Sequence, residues 1–225
     1  MLDLTTDKGR IISAALGLAA EKPWRDIGLA EIAARAGIAL PTLRREFASK
    51  TEILGAFTRL VDDEVLRRAP LASATYGRRD ALFEIVMSRF DVLEPYKGAL
   101  KSITGSGLPD LGHVLPILAS QRWMLEAAGI RADGLDGGVR VAGLMTVYAS
   151  VFRTWLEDDD RGLARTMAAL DRRLRRGEQT INSIEGICAG MRRAATAVAG
   201  VVDGVRSRGA RPAAPDAGGT QPPTA

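Results

Sequence analysis

Apolar residues along this chain recur at intervals of three and four, and no stretch alternates as a strand would, so the pattern predicts helices throughout. Ile12, Ala15, Leu16 and Ala19 share one face of a first helix; Thr5, Thr6 and Asp7 offer N-cap oxygens and Pro23 ends it. Ile32, Ala33 and Ala36 form the apolar face of a short second helix, and Gly37 follows where a chain reversal needs positive φ. Ala33 is the small residue four places before that glycine, where two helices come closest. Pro41 then sits where a first helical residue tolerates a missing N–H, and Leu43 and Phe47 repeat at i, i+4. Ser49 and Glu52 form a capping box, which starts a fourth helix near Lys50 and runs it to about Arg68. Ile53, Phe57, Leu60, Val61 and Val65 are its inward positions.

The pair Ala69-Pro70 marks a boundary. Beyond it, Leu82, Phe83, Val86 and Phe90 predict a helix from Arg79 to about Leu93, broken by Pro95. The Gly- and Pro-rich stretch 98–112 predicts a kink or loop. Leu115, Leu118, Trp123 and Leu125 place a helix from about Val114 to Ala128, ended by Gly129, and a long helix follows from Leu135 to Leu156. The run from Glu157 to Asp160 predicts a solvated acidic cap for the next helix, on which Leu163, Met167, Leu170 and Leu174 are spaced 4-3-4. A last helix carries Ile184, Cys188, Met191, Ala195, Val198 and Val202, and residues 206–225 have the composition of a disordered tail. The reading is all-α, with a helix-turn-helix head over 1–68, a larger helical body over 69–205, and the tail. The two last helices, with apolar stripes wider than one body needs to cover, predict a homodimer.

A helix-turn-helix places its second helix in the major groove of DNA. With Leu43 and Phe47 turned inward, a helical wheel points Arg45 straight out, with Pro41 and Thr42 in the same outer half. Arg44 and Glu46 flank them on opposite sides. Double-stranded DNA is the expected partner, with Pro41, Thr42, Arg44, Arg45 and Lys50 as the contact set.

The stretch from Trp24 to Leu54 resembles the DNA-binding domain of the TetR family of bacterial regulators. The resemblance is carried by Ile32-Ala33, Ala36-Gly37-Ile38, Thr42-Leu43, Phe47, Ser49-Lys50 and Leu54. Three positions depart from the family pattern: Gly28 where a Ser or Thr usually caps, Arg44 in place of a Tyr, and Glu46 in place of a His or Tyr. Arg44 can replace a phenol with a charge-assisted phosphate contact, whereas Glu46 would repel a phosphate unless a cation neutralises it. The resemblance implies a homodimer on a near-palindromic operator and a body that encloses a small apolar ligand. Phe83, Phe90, Trp123, Met124, Met145 and Phe152 are the candidate pocket residues, each equally readable as core.

Charge does not add to the DNA reading. The net +4 arises in residues 171–225, with nine basic side chains against five acidic ones, while residues 1–68 hold eleven against ten. One cysteine excludes an internal disulfide and fits a reducing cytosol. The N-terminus lacks the pattern of a secretory signal, and the longest uncharged apolar stretch, Val141 to Phe152, is too short to span a bilayer, so a cytoplasmic protein is expected. A single histidine, His113, removes most histidine-based metal and triad schemes, and Cys188 falls on an apolar stripe. The acidic run lacks the glycine of a calcium loop, and no phosphate loop or dinucleotide fingerprint is present. No enzyme activity and no cofactor are expected.

A second resemblance covers about fifty residues. Trp155 to Leu174, with Ile184 to Val198, looks like the C-terminal part of the TetR-fold accessory proteins of ubiquinone biosynthesis, which bind isoprenoid lipid at a membrane. Under that alternative, Arg172, Arg173, Arg175, Arg176, Arg192 and Arg193 beside apolar stripes would face anionic headgroups and the head would have lost DNA binding.

Overall fold

The computed structural model describes residues 2–69, 77–105 and 111–177, all within one compact unit. Its elements are α1 (Asp7–Glu21), α2 (Leu29–Arg35), α3 (Leu40–Glu46), α4 (Lys50–Arg68), α5 (Arg78–Leu93), α6 (Lys97–Gly105), α7 (Leu111–Ala127), α8 (Gly134–Leu156) and a helical run over residues 164–177, here α9. Single 3-10 turns sit at Trp24–Asp26 and Glu94–Tyr96. There is no strand among the described residues. The expected last helix, with Cys188, Arg192 and Arg193, and the expected tail lie outside them, as does the side chain of His113.

The first helix is set by its ends and one face. Thr6 Oγ1 accepts from Gly9 N at 3.1 Å, and Ile11, Ile12, Ala15, Leu16 and Ala19 are buried against α2, α3, α4 and α6. A Cβ on Gly9 would stand 1.8 Å from the Asp3 carbonyl oxygen, so only glycine lets the N-terminal segment fold back across α1. The fourth helix is longer than the head requires. Its first turns bury Ile53, Leu54 and Phe57 in the head, and its later turns pack on α5 and α7, with Val61 and Val65 fully covered.

Residues 97–105, expected to kink or loop, are helical. The cost of Gly98 in a helix is offset by packing of α6 on α1, where Ala99 is buried; a Cβ at Gly98 would stand 4.0 Å from that of Ala20, an ordinary contact. Ser102 fastens the pair further, accepting from Trp24 N at 3.0 Å and donating to the Lys22 carbonyl at 2.9 Å.

The face of α7 also differs from the expected stripe. Leu125 is buried, but Leu115 is 72% and Trp123 56% exposed, and the buried positions are Ser120, Gln121, Met124, Leu125 and Ala128. Ser120 faces inward because it joins a buried ionic node. Arg89 on α5 is 5% exposed; it donates to Tyr148 Oη on α8 at 3.1 Å, to Asp62 on α4, and to Ser120 Oγ at 3.4 Å. Ser120 Oγ in turn donates to Asp62 Oδ2 at 2.6 Å. Burial works against the charge on Arg89, yet Tyr148 and Asp62 hold its pKa above the ordinary value. Four helices meet at one guanidinium.

The acidic run before α9 is a cap, with Glu157, Asp159 and Asp160 exposed and Asp158 turned inward. Asp158 is buried and accepts from Thr166 N at 2.9 Å and Thr166 Oγ1 at 2.7 Å, while Asp160 accepts from Gly162 N and Ala164 N. Burial raises the Asp158 pKa, but the hydrogen bonds from Thr166 and Asp160 outweigh it and hold the group below its ordinary value. Glu64, bonded to Arg67 and Arg68, is lowered to about 2. Both carboxylates are depressed on folding, so each stabilises fully above its unfolded pKa and loses that contribution as pH falls through the folded one. Unfolding midpoints followed by circular dichroism should therefore drop as pH is lowered from about 4.5 toward 2. The Glu64 part should shrink in high salt because Arg67 is exposed; the Asp158 part should persist. A midpoint that is flat across this range would show that neither carboxylate is held as described.

On α9, Leu163, Leu170 and Leu174 are already buried within the chain and Met167 is 38% exposed. Larger uncovered apolar side chains of the body lie on α7 and α8, where Leu135 is 92% and Val139 55% exposed. No helix among the described residues is long and apolar enough to cross a membrane.

Candidate nucleic-acid interface

The turn between α2 and α3 closes by two backbone hydrogen bonds. Ile38 N donates to the Ala33 carbonyl at 3.0 Å and Gly37 N to that of Ala34 at 3.1 Å, with Gly37 at φ +66°. This ending satisfies the free carbonyls of α2 and requires a left-handed residue at the position glycine occupies. Ile32 and Ala33 are buried behind it. The next helix starts one residue before Pro41, at Leu40, and is held by Leu43 and Phe47, 1% and 5% exposed. Neither α2 nor α3 has a side-chain N-cap: Gly28 and Ala39 stand there. Packing against α1, with these two anchors, fixes the second helix.

The outward face of α3 carries what the wheel placed there. Pro41, Arg44 and Arg45 are exposed and Thr42 is half-buried. Arg45 Nη2 donates to Thr42 Oγ1 at 3.2 Å, so these two are presented together, one turn apart. The Arg44 guanidinium is exposed and projects from the flank. Leu40, 48% exposed at the tip of the same helix, was not among the expected contacts because the proline seemed to mark the first turn. It offers an apolar surface of the kind that meets a thymine methyl.

Glu46 is half-buried and has a cation beside it, the Lys8 ammonium of α1 at 3.8 Å. The neutralising partner comes from another helix, which no spacing within the motif could reveal. Lys50 is more committed. Its Nζ donates to the carbonyls of Trp24 and Ile27, both at 2.8 Å, and stands 4.8 Å over the Trp24 ring. Partial burial lowers its pKa. Two of its three N–H donors thus tie the start of α4 to the turn before α2, leaving one for a phosphate. The capping box at Ser49 is shifted: Ser49 Oγ accepts from Glu52 N at 3.1 Å, but the Glu52 carboxylate takes the N–H of Ala48.

The six candidate pocket residues differ in exposure. Phe90 and Met124 are fully buried, Phe83, Met145 and Phe152 half-buried, and Trp123 exposed. Phe90 stacks on Tyr148 and Trp155 at 5.6 and 5.4 Å, and Phe152 completes the group at 5.8 and 5.3 Å from the same two rings. This aromatic cluster sits against the Arg89 node. Two clefts among the described residues, of about 820 and 360 Å³, are lined by other side chains. Tyr148, Trp155 and Arg89 were missed by the sequence reading, since a charged residue on an apolar stripe reads as an interruption. Among the described residues no group of His, Cys, Asp and Glu is placed to hold a metal ion.

Three comparisons bear on these elements. Residues 11–57 match the family model described as bacterial regulatory proteins, tetR family. No curated protein sequence matches the chain. Among solved structures, the chain is similar to a TetR transcriptional regulator from Nitrosomonas europaea, with a TM-score of 0.61, 23% identity and coverage of 76% of this chain and 98% of that one. A TetR regulator from a Rhodococcus species follows at 0.55 and 21%, covering 75% and 93%. A tetR-family regulator from Streptomyces coelicolor gives 0.55 and 16%, covering 91% and 98%. At these identities the solved structures share the fold, and the family match is confined to residues 11–57, which span α2, α3 and parts of α1 and α4.

Proposed function

We propose that this chain, whose residues 11–57 match the model of the tetR family of bacterial regulatory proteins, is a DNA-binding transcriptional regulator that acts as a homodimer and releases its operator when a small ligand binds. The observation that carries this reading is the outer face of α3, where Thr42, Arg44 and Arg45 project from a helix locked by Gly37, Leu43 and Phe47. Thr42 and Arg45 are suited to base edges and Arg44 to a phosphate. Leu40 and the remaining donor of Lys50 add a methyl contact and a second backbone contact. A dimer would set two such helices in successive major grooves, about 34–36 Å apart, and so read a near-palindromic site. The exposed Leu135 and Val139 of α8 give a second copy an apolar surface to cover. Repression is the simplest outcome, since an occupied operator blocks a promoter. The apolar ligand would lie in the body, beside the aromatic cluster, and act by binding the two head spacings with different affinity.

Selection of genomic fragments with the purified chain tests the reading. Enrichment of a near-palindromic site is expected; recovery of fragments with no shared sequence would overturn it.

Glu46 allows a finer test on the selected site. Glu46→Gln should leave affinity unchanged or raise it, because it removes a carboxylate from beside the DNA backbone and frees Lys8. A fall in affinity with lost discrimination at a cytosine would instead place Glu46 against a base amino group. Fluorescence anisotropy at fixed salt distinguishes the two.

A further inference from the structure

The cleft of about 820 Å³ opens where α1, the end of α3, α4 and α7 meet, away from the aromatic cluster of the body. Its volume lies within the roughly 300–1,000 Å³ usual for small-molecule sites. Ile12, Phe47, Ala56, Leu60 and Pro116 supply apolar wall, and six charged side chains stand at the rim. Four of these are already engaged. Asp3 accepts from Thr5 N and Oγ1, Glu52 accepts from Ala48 N, and Glu46 faces Lys8. The other two, Arg59 and Asp63, have neither a hydrogen bond nor an ion pair, although they are one turn apart on α4.

Gly55 explains the room beneath Arg59. Glycine inside a helix costs about 1 kcal/mol relative to alanine. Yet a Cβ at Gly55 would meet only ordinary contacts, Pro116 Cγ at 3.7 Å and Arg59 Nη1 at 3.8 Å. The chain's own packing therefore does not demand glycine there. What its absent side chain leaves is a gap between Pro116 and the guanidinium, which leans over Gly55 into the cleft.

We infer that this cleft binds a small zwitterion with an apolar body, of the α-amino acid class. Arg59 takes the carboxylate through its paired N–H donors and Asp63 the ammonium, while the apolar wall holds the side chain. The spacing agrees: side chains at i and i+4 have Cβ atoms about 5–6 Å apart, a span that an ammonium and carboxylate on one carbon can bridge. An anion alone would meet four carboxylates at the rim, and a neutral hydrophobe would gain nothing from either charge.

Titration calorimetry on the full chain without DNA tests this, with L-phenylalanine and L-leucine as probes. Phenethylamine and 3-phenylpropionate, each lacking one charge, are the comparison ligands. Saturable binding of L-phenylalanine is expected, with each truncated ligand weaker by about tenfold or more. Arg59→Gln should bring L-phenylalanine down to the level of phenethylamine, and Asp63→Asn to that of 3-phenylpropionate. Both side chains are exposed, so the variants fold. Gly55→Met should abolish binding by filling the gap. Absence of saturable heat at about millimolar probe overturns the inference, as does equal binding of amino acid and truncated ligands or indifference to both charge variants. DNA is not present in the assay, so these outcomes are independent of the operator reading.

Discussion

Replacing Arg89 with alanine should lower the unfolding free energy by about 3–5 kcal/mol, the range for removing one partner of a buried ion pair. The effect comes less from the lost attraction than from what is left behind. Asp62, its side chain 12% exposed, would retain Ser120 as a donor but lose its counter-charge, and the Tyr148 hydroxyl would lose its guanidinium donor. A double replacement, Arg89→Met with Asp62→Leu, should recover most of that loss, because well-packed apolar side chains often match a buried pair in stability. Urea denaturation of the two variants measures both. A loss below about 1 kcal/mol in Arg89→Ala would mean the node is hydrated and screened like a surface pair.

The second large effect is expected on DNA. Arg45→Ala should relax preference at one base position by about 1–3 kcal/mol. Arg44→Ala should weaken every sequence alike and flatten the salt dependence by about one unit of slope. Together the two substitutions should cost on the order of 10²–10³-fold in affinity for the selected site. Neither side chain supports the core, so circular dichroism should be unchanged. If a quantitative titration of the double variant matches the parent, α3 does not dock in DNA and the head serves folding alone.

The head was legible because its determinants are local. Gly37, Leu43, Phe47 and Ser49 act within a few residues of themselves, so spacing alone located the turn, the anchors and the start of α4. What escaped the sequence was set by partners far along the chain. Lys50 reads as a phosphate contact until Trp24 and Ile27 place their carbonyls against it. Trp123 reads as core because of its size, while the inward face of α7 belongs to Ser120, whose value depends on Asp62 and Arg89 from other helices. Gly98 marks a loop by composition, yet it stands in a helix that packing on α1 holds in place.

The fourth helix is pinned at its start and again at Asp62, and that has a mechanical consequence. Lys50 grips the turn ahead of α2 and Asp62 is fixed at the Arg89 node, twelve residues further on. At 1.5 Å per residue these anchors are about 18 Å apart along a rigid rod. A tilt of about 10° pivoting on Asp62 would then swing the Lys50 end by about 3 Å, the length of a hydrogen bond. Because Lys50 carries the Trp24 turn with it, the head would travel as one piece rather than shear. In a dimer the opposite swing of the second rod would double the change in separation, to about 6 Å. That is a substantial fraction of the roughly 12 Å width of the major groove, so a modest rearrangement around one guanidinium is enough to put both reading helices out of step with the duplex.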